Sequence, residues 1–277
     1  SGAMHGLMRV RGFTQDDAHV FCTEEQLAEE CLKINDLILS VYEDFGFDEI
    51  VVKLSTRPEK RVGSDESWDH VEEIMTSVLK TIEAQSGGRI KTGILPGEGA
   101  FYGPKIDVKI KDSLGRTWQC STIQCDFSLP ERFDMNYVDA DGNKTRPVMV
   151  HRALLGSIER FFGVLVEHYG GAFPVWLAPT QAVVLSVGER HADAAEALAR
   201  RCKEQRLRVD ADTSGWKIGA KIRHHLWQEK IPLVAVLGDN EIDAGTVAVR
   251  SRKDGDLGTM TIEQFSEMLR KHERERC

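Results

Sequence analysis

The segment Met8–Cys22, MRVRGFTQDDAHVFC, concentrates side chains that could bind a charged ligand. In an extended chain, alternate side chains project from the same face. The odd-numbered polar residues of this segment would therefore share one face: Arg9, Gln15, Asp17 and His19. A guanidinium, an amide, a carboxylate and an imidazole together suit a ligand that carries both a phosphate and an amine. A solvated strand face would show the same pattern, and this segment alone leaves both interpretations open.

The composition favours two domains and reduced thiols. The chain has 277 residues, more than a typical single core, and 41% of them are hydrophobic. No apolar run approaches the roughly 18 residues that span a bilayer, and no signal-peptide pattern opens the chain. The six cysteines lack the spacing of a disulfide framework or a metal site, so we expect a cytoplasmic protein. The net charge of −8 means that any nucleic-acid contact would depend on local patches.

Helices and hairpin-connected strands over residues 1–174 predict an α+β domain on an antiparallel sheet. In the opening segment, Gly12 and the pair Asp16–Asp17 disfavour a regular strand ladder. Expected helices cover 23–42, 68–84 and the region from 158, the first opened by a capping box of Thr23 and Gln26. Expected strands cover 49–54, 106–111, 118–127 and 148–152.

The stretch PVWLAPT at 174–180 predicts a linker, because prolines flank a short apolar run. After it, expected strands at 182–186, 207–210, 233–237 and 247–250 are interspersed with expected helices at 192–204, 218–227 and 262–272. This rhythm predicts a second, α/β domain over 175–277 with a mixed, mostly parallel sheet.

Five motifs resemble those of class II aminoacyl-tRNA synthetases of the threonyl type, and they occur in the right order. They are RVRGFTQDDAH at 9–19, GEGAFYGPK at 97–105, WQCSTIQCDFSLPERF at 118–133, HRALLGSIERF at 151–161 and the looser KIGAKIR at 217–223. The resemblance covers essentially the whole chain. It implies a class II catalytic domain over 1–174 and an anticodon-binding domain over 175–277.

An ATP site is the first implication of the resemblance. Arg9 corresponds to the arginine that holds the terminal phosphate, and Gln119 belongs to the same site. Adenine is expected between Phe13 and Arg160, because an aromatic ring and a guanidinium both offer flat faces to a base. Arg9 and Arg160 are the expected catalytic residues. With Mg²⁺, they would offset negative charge while a carboxylate attacks the α-phosphate.

A threonine site is the second implication. In the resembled enzymes a zinc ion binds the amine and hydroxyl of threonine, and His19 and His151 match its two histidine ligands. Valine offers a methyl group in place of the hydroxyl, so such a site would reject it. Asp17 would accept the substrate hydroxyl. By analogy, the pocket would also be lined by Gln15, Tyr102, Lys105, Gln119, Gln124 and Ser157.

Some elements of the resembled family have no counterpart in the printed sequence. The family's zinc-binding cysteine, the dimerisation motif 1 and the first half of motif 2 with its α-phosphate arginine all lie upstream. Cys120 and Cys125 do not match the cysteine position. We therefore expect a portion of a larger, homodimeric enzyme, with the 277-residue chain alone weakened in zinc binding and catalysis.

The second domain supplies the expected tRNA contacts. By resemblance, the anticodon would be read by Lys217, Glu241, Arg250 and Arg252, since loop bases of RNA can be splayed out for contact with side chains. The chain has Gly215-Trp216-Lys217 where the family often has Asn-Glu-Lys. The alternative interpretation is that these residues are surface charges of an acidic domain.

The expected function is that of a threonine–tRNA ligase, with ATP, threonine and tRNA(Thr) as ligands and no membrane partner. A non-catalytic, synthetase-like protein that binds RNA or regulates a partner is the alternative. An ATP-dependent ligase of small molecules is a further one. Without the motifs, Phe13 would be a core side chain, His19 a strand histidine, and Arg160 an ion-pair partner of Glu159 or Glu167.

Overall fold

Two separate sheets organise the chain. The structure, a computed structural model, describes residues 3–112 and 114–277. The chain divides into two compact units, the first ending at His168 and the second covering Tyr169–Cys277. Within the described ranges, no helix is both long enough and apolar enough to cross a membrane.

A six-stranded sheet forms the centre of the first unit. Its strands are β1 (Gln15–Cys22), β2 (Ile50–Ser55), β3 (Lys91–Leu95), β4 (Lys105–Lys111), β5 (Thr117–Asp126) and β8 (Val148–Ser157), in the order β1-β8-β5-β4-β2-β3. Neighbouring strands are antiparallel except for the parallel pair of β2 and β3 at one edge. Strands β6 (Tyr137–Val138) and β7 (Lys144–Thr145) form a separate hairpin. The predicted α+β class with an antiparallel sheet is confirmed.

Helices α1 (Leu27–Asp44), α2 (Asp65–Gln85), α3 (Ser128–Arg132) and α4 (Ile158–Tyr169) complete this unit. The predicted amphipathic pattern of α1 is confirmed, because Leu27, Cys31 and Ile38 are fully buried. The helix begins at Leu27 and not at Thr23, since a turn with a hydrogen bond from Gln26 N to Thr23 O, at 3.2 Å, precedes it. The Gln26 side chain caps this turn by accepting from Thr23 N at 3.0 Å.

The second unit contains a five-stranded mixed sheet. Its elements are β9 (Ala182–Ser186), α5 (Ala192–Glu204), β10 (Val209–Asp212), α6 (Ile218–Arg223), β11 (Leu233–Leu237), α7 (Asp239–Ala244), β12 (Thr246–Ser251), β13 (Gly255–Thr261) and α8 (Ile262–Glu275). A π-helical turn, His224–Gln228, continues α6. The strand order is β10-β9-β11-β12-β13; the pairs β10–β9 and β9–β11 are parallel, and the pairs β11–β12 and β12–β13 are antiparallel. The sheet is therefore mixed, as expected, but not mostly parallel.

The sheet's two faces carry different apolar clusters. One face, together with α5 and α8, buries Val184, Leu198 and Phe265, among others. The other face buries Val183, Leu185, Val234 and Leu226 of the π-helical turn. Both faces are thus covered by helical segments, which leaves the loops at the strand ends to carry polar groups.

The structure corrects one expectation about the opening segment in full and a second in part. Arg9 does not share a strand face with Gln15, because β1 begins at Gln15 and Arg9 lies in a turn whose carbonyl accepts from His5 N at 3.1 Å. Asp17 does take part in a ladder, since it lies opposite Ala153 of β8, whereas Asp16 falls at a register shift of the β1–β8 pair, in line with the expected irregularity.

Candidate active site

A polar cavity of about 480 Å³ lies over β1, β4, β5 and β8. Seven of the residues predicted from the sequence line it: Gln15, Asp17, Tyr102, Lys105, Gln119, Gln124 and His151. They come from four distant motifs, which the antiparallel pairing of the four strands brings together. Amide, hydroxyl, carboxylate, ammonium and imidazole groups thus converge on a space large enough for an amino acid or part of a nucleotide.

Two histidines meet across the β1–β8 pair beside this cavity. His19 lies directly opposite His151 in the antiparallel register, and their ring centroids are 4.6 Å apart. Asp17 precedes His19 by one alternation and its Oδ2 lies 4.0 Å from His19 Nε2. The predicted pair of metal-ligating histidines is therefore close in space and lies next to a carboxylate.

Asp126 holds His151 in place, although it was not among the site residues predicted from the sequence. Its Oδ2 lies 2.9 Å from His151 Nε2, while Oδ1 accepts from Ser128 N and Leu129 N at 2.7 and 2.9 Å. The Asp126 carboxylate is buried, so its contact with Nε2 fixes the orientation of the His151 ring. The other ring nitrogen of His151, Nδ1, is then the atom left to coordinate a metal ion. A carboxylate behind an imidazole is the arrangement found for metal-ligating histidines. The only feature of the sequence that could have indicated this role is the position of Asp126 at the end of a predicted strand.

The donor chemistry at this pair fits a zinc ion but does not complete its coordination. His19 and His151 provide two nitrogen donors. Within residues 3–112 and 114–277, no third histidine, cysteine, aspartate or glutamate donor joins them in a compact group of three. Cys120 and Cys125 are buried free thiols, and in the described part of the chain neither forms a compact group of three donors with this pair. A third protein ligand would have to come from outside the described residues.

Asp107 is a second buried carboxylate that orients cavity residues. Its Oδ2 lies 2.9 Å from Lys105 Nζ, and its Oδ1 accepts from Gln119 Nε2 at 2.6 Å. Thr122 Oγ1 donates to the same oxygen at 3.3 Å. The charge of Lys105 is thereby paired, and the Gln119 amide is held in one orientation.

The loop that carries Tyr102 approaches β5 very closely. Tyr102 donates its hydroxyl hydrogen bond to Gln124 Oε1 at 3.0 Å. Burial, followed by the nearby charges of Asp126 and Asp17, raises the pKa of Tyr102, so the phenol stays protonated as a donor. A Cβ at Gly103 would lie 1.8 Å from Cys125 O, a backbone atom, so only glycine permits this approach.

Asp16 shapes the end of β8, where the last motif turns into α4. Its carboxylate accepts from the backbone N–H groups of Leu154, Leu155 and Gly156 at 2.8–3.0 Å. Ser157, which was predicted to line the threonine pocket, lies outside the cavity lining. Its hydroxyl instead accepts from Arg160 N at 3.3 Å. It therefore acts on the start of α4.

Arg160 is held by main-chain carbonyls and by an indole. Its Nε donates to Met8 O at 2.9 Å and its Nη1 donates to Gln119 O at 3.1 Å. Its guanidinium carbon lies 5.8 Å from the centre of the Trp118 ring. Among the residues that the structure describes, Arg160 forms no ion pair with Glu159 or Glu167; Glu159 instead accepts from Thr14 N, and Glu167 accepts from Arg116. A planar group fixed in this way offers a flat surface for a base.

Arg9 and Phe13 are exposed and lie outside the cavity lining. Phe13 has 59% of its surface accessible, so it is not a core side chain. Thr14, which follows Phe13, is hydrogen-bonded to the start of α4, because Thr14 N donates to Glu159 and Ile158 N donates to Thr14 O at 2.9 Å. Their expected contacts with ATP remain predictions.

The second unit exposes two of the four residues predicted to contact RNA and leaves Glu241 and Arg252 partly buried. Lys217 is exposed at the start of α6, and Arg250 is exposed on β12 with Asp256 Oδ2 at 3.4 Å. Glu241 Oε2 accepts from Gly238 N at 3.0 Å and caps α7.

Arg252, in contrast, is engaged by the backbone. Its Nη2 donates to Ala172 O and Phe173 O at 2.8 and 2.9 Å, and its Nη1 donates to Lys230 O. Desolvation by burial lowers the pKa of this guanidinium. These contacts favour a structural role for Arg252 over the predicted anticodon contact.

The fold and the cavity together define a class II aminoacyl-tRNA synthetase core followed by an anticodon-binding domain. The profile described as "tRNA synthetase class II core domain (G, H, P, S and T)" matches residues 1–169. The profile described as "Anticodon binding domain" matches residues 181–272. The chain therefore belongs to the class II tRNA synthetase core family, as the motifs predicted.

Relatives of the threonine type match most of the chain. A threonine–tRNA ligase from Allorhizobium ampelinum is 58% identical over 264 residues, which cover 95% of this chain and 40% of the relative. Another from Sinorhizobium medicae is 60% identical over 250 residues, 90% of this chain and 38% of the relative. The crystal structure of the RNA binding domain of threonyl-tRNA synthetase from Cryptosporidium parvum Iowa II matches with a TM-score of 0.89 and 39% identity. The match covers 98% of this chain and 66% of the chain in that crystal structure. The chain thus spans about 40% of the length of these ligases.

Proposed function

We propose that the protein containing this chain is a threonine–tRNA ligase, which activates threonine with ATP and transfers it to tRNA(Thr). Residues 1–174 would form part of the catalytic domain, and residues 175–277 the anticodon-binding domain. The observation that carries the proposal is the cavity in which Gln15, Asp17 and His151 meet Tyr102 and Gln124. The threonine–tRNA ligases that match 90–95% of the chain support the same assignment.

The first half-reaction would join the threonine carboxylate to the α-phosphate of ATP and release pyrophosphate. The protein's contribution would be positioning and charge neutralisation. Arg160, fixed by Met8 O and Gln119 O, would stack on one face of adenine. Phe13 would cover the other face, and Arg9 would bind the terminal phosphate. Mg²⁺ bound with ATP would share in neutralising the phosphates.

Threonine would be selected by its hydroxyl. A zinc ion held by His19, His151 and a ligand from outside the described residues would supply Lewis-acid coordination for the amine and hydroxyl. Asp17, 4.0 Å from His19, would accept the hydroxyl hydrogen. Gln15, Lys105 and Ser157 would complete the environment of the amino acid, the last by holding the start of α4. A pocket whose polar groups require a hydroxyl rejects an analogue without one far more strongly than a mere size filter would.

The anticodon would be read by Lys217, Glu241 and Arg250 on the second unit. Base edges in an RNA loop offer donors and acceptors that carboxylate and guanidinium groups can pair with. A homodimer in the cytoplasm is the expected state of the whole enzyme.

The test is amino-acid-dependent pyrophosphate exchange by the full-length protein. Exchange with threonine should greatly exceed exchange with valine. Serine, which also carries a hydroxyl, should be the competing amino acid that supports some exchange. Asp17→Asn should reduce the preference for threonine over valine more than it reduces exchange in general. Equal rates with threonine and valine would refute the selection argument. Absence of exchange with retained RNA binding would favour the non-catalytic alternative.

A further inference from the structure

A compact group of three metal-ligating side chains lies in the second unit, in the segment between β10 and β11. His224, His225 and Glu229 place one donor atom each within 4.8 Å of one another. Glu229 Oε2 lies 2.6 Å from His225 Nδ1, and Glu229 Oε1 lies 3.4 Å from His224 Nε2. Within residues 3–112 and 114–277, this is the one such group of three.

The π-helical turn His224–Gln228 creates this arrangement. Glu229 N donates to His224 O at 3.0 Å, which is the i to i+5 hydrogen bond of a π-helix. In an α-helix, residues five apart do not lie on the same face. The wider turn brings His224 and Glu229 together, while His225 reaches Glu229 by the ordinary i, i+4 spacing. Single π turns occur frequently at functional sites.

Each histidine has its other ring nitrogen held by an acceptor. His225 Nε2 lies 2.9 Å from Asp212 Oδ2, and His224 Nδ1 lies 2.8 Å from Gln228 Oε1. The nitrogens that face Glu229 are therefore His225 Nδ1 and His224 Nε2. An acceptor behind each ring fixes which nitrogen is available for coordination, as in metal sites with outer-sphere carboxylates.

Asp212 itself is rigidly anchored. Its Oδ1 accepts from Ser214 N at 2.9 Å, and Lys221 Nζ lies 3.6 Å away from the same oxygen. The Lys221 ammonium is buried and donates to Ser186 O and Asp212 O, both at 3.0 Å. His225 is therefore oriented from a fixed point of the fold, and its side chain is only 12% exposed.

We propose that His224, His225 and Glu229 bind a divalent transition-metal ion of the Zn²⁺ class. Two imidazole nitrogens and one carboxylate oxygen are the donor set of borderline metals, and they leave a coordination position open to solvent. The bound ion would join the start and the end of the π-helical turn. It would also lie close to Trp216, whose ring centre is 5.4 Å from that of His224. Trp216 precedes Lys217, so the ion would order the segment that leads into α6.

The proposal can be tested by titrating the 277-residue chain with Co²⁺, which replaces Zn²⁺ in such sites, while tryptophan emission is recorded. Co²⁺ at the group should saturably quench Trp216 and also Trp227, which lies within the π-helical turn, and replacing both by Phe should remove most of that change. His224→Ala and Glu229→Gln should each weaken the titration by about tenfold or more. Asp212→Asn should weaken it by about 10–100-fold, because outer-sphere partners contribute that much to metal affinity.

Two controls separate this group from other histidines. His70→Ala removes an imidazole that pairs with a single carboxylate, Glu24, at 2.8 Å, and should leave the titration unchanged. A variant with alanine at both His19 and His151 should keep the Trp216 signal, so that failure of the threonine-site proposal is distinguishable. Glu229→Gln is isosteric at a half-exposed side chain, so it tests binding without threatening the fold. A titration that is identical in Glu229→Gln, His224→Ala and the unsubstituted chain would overturn the proposal.

Discussion

Asp126 connects two features of the first unit that are distant in sequence. One oxygen of its buried carboxylate orients His151, and the other accepts from the first backbone N–H groups of α3. A neutral amide at this position could still accept from α3, but it would no longer pair as a charge with the imidazole. The residue therefore influences the cavity without lining it.

We predict that Asp126→Asn weakens zinc binding at the His19–His151 pair about 10–100-fold, by analogy with other outer-sphere carboxylates. Threonine-dependent pyrophosphate exchange by the full-length protein should fall with it. A stability loss of about 1–3 kcal/mol is expected from the altered buried hydrogen bonds. Competition with a chelator and thermal unfolding measure the two effects.

Asp139→Asn provides the matched control for Asp126. Asp139 also accepts backbone hydrogen bonds, from Asp141 N and Asn143 N at 3.0 and 2.8 Å, but in an exposed turn. Its replacement should leave zinc affinity unchanged. Unaltered zinc affinity in Asp126→Asn would show that the carboxylate does not orient His151 for coordination.

At the scale of elements, the close approach of the Tyr102 loop to β5 depends on Gly103. A Cβ at this position would overlap Cys125 O at 1.8 Å, so Gly103→Ala must shift the loop or the strand. We predict a loss of about 1–3 kcal/mol in the free energy of unfolding of the first unit, as for other overpacked sites. The hydrogen bond from Tyr102 to Gln124 should weaken as well.

Gly12→Ala is the control for Gly103, because nothing lies within 4 Å of a Cβ at Gly12. Chemical denaturation of both variants measures the difference in unfolding free energy. If Gly103→Ala were as stable as Gly12→Ala, the loop would have to approach β5 less closely than described.

Asp112, which follows β4, is expected to make the first unit sensitive to acid. Asp112 is buried and accepts from Trp118 Nε1 at 2.8 Å and from Arg116 N at 2.8 Å. Burial alone would raise the pKa of Asp112, but the hydrogen bonds from Trp118 and Arg116 outweigh it and lower this pKa below its ordinary value of 3.8. Trp118 in turn lies beside Arg160.

Because the folded-state pKa of Asp112 is lowered, the ionised carboxylate stabilises the fold above pH 3.8 and loses this effect as the pH falls below that value. We predict that Asp112→Asn costs about 1–3 kcal/mol near pH 7 and that the deficit shrinks as the pH falls through the acid range. Unfolding curves of both proteins between neutral pH and pH 3 test this. A deficit independent of pH would mean that the lost packing, and not the charge, matters.

The helical periodicity and strand alternation of the sequence were sufficient to predict most elements. Helix α1 shows why, since its buried positions Leu27, Cys31 and Ile38 repeat at helical spacing. Strand β13 was missed because GDLGTMT contains two glycines and little apolar surface, and it depends on β12 for its pairing. Strand β3 was missed as well, since its formation depends on the parallel partner β2.

The buried carboxylates could not be found from local sequence. Asp16 accepts from backbone groups 138–140 residues away, and Asp126 pairs with a histidine 25 residues away. Local periodicity cannot predict such contacts. The family motifs did predict the cavity residues, because each motif contains residues that meet in the folded site. For Arg252 the sequence predicted a function that the contacts do not favour. Family resemblance predicted a contact with RNA, whereas its hydrogen bonds to Ala172 O and Phe173 O favour a structural role.

At the scale of the whole molecule, the two units carry separate tasks in the proposed enzyme. Each has its own sheet, and the second unit has apolar clusters on both faces of its sheet. The cavity residues all belong to the first unit, and Lys217, Glu241 and Arg250 all belong to the second. Adenylate formation and tRNA recognition should therefore respond to different substitutions.

Arg250→Ala in the full-length protein should weaken tRNA charging while leaving threonine-dependent pyrophosphate exchange nearly intact. A single arginine–base contact contributes on the order of 1–3 kcal/mol, taking base-edge contacts in DNA as a guide, so KM for tRNA should rise by about tenfold or more. Arg201→Ala is the matched control, because Arg201 is 50% exposed and paired with Glu263, much as Arg250 is 48% exposed and paired with Asp256. Equal charging by the two variants would remove Arg250 from the RNA contacts. A comparable loss of pyrophosphate exchange in Arg250→Ala would instead show that the second unit supports the chemistry of the first, because RNA takes no part in the exchange reaction.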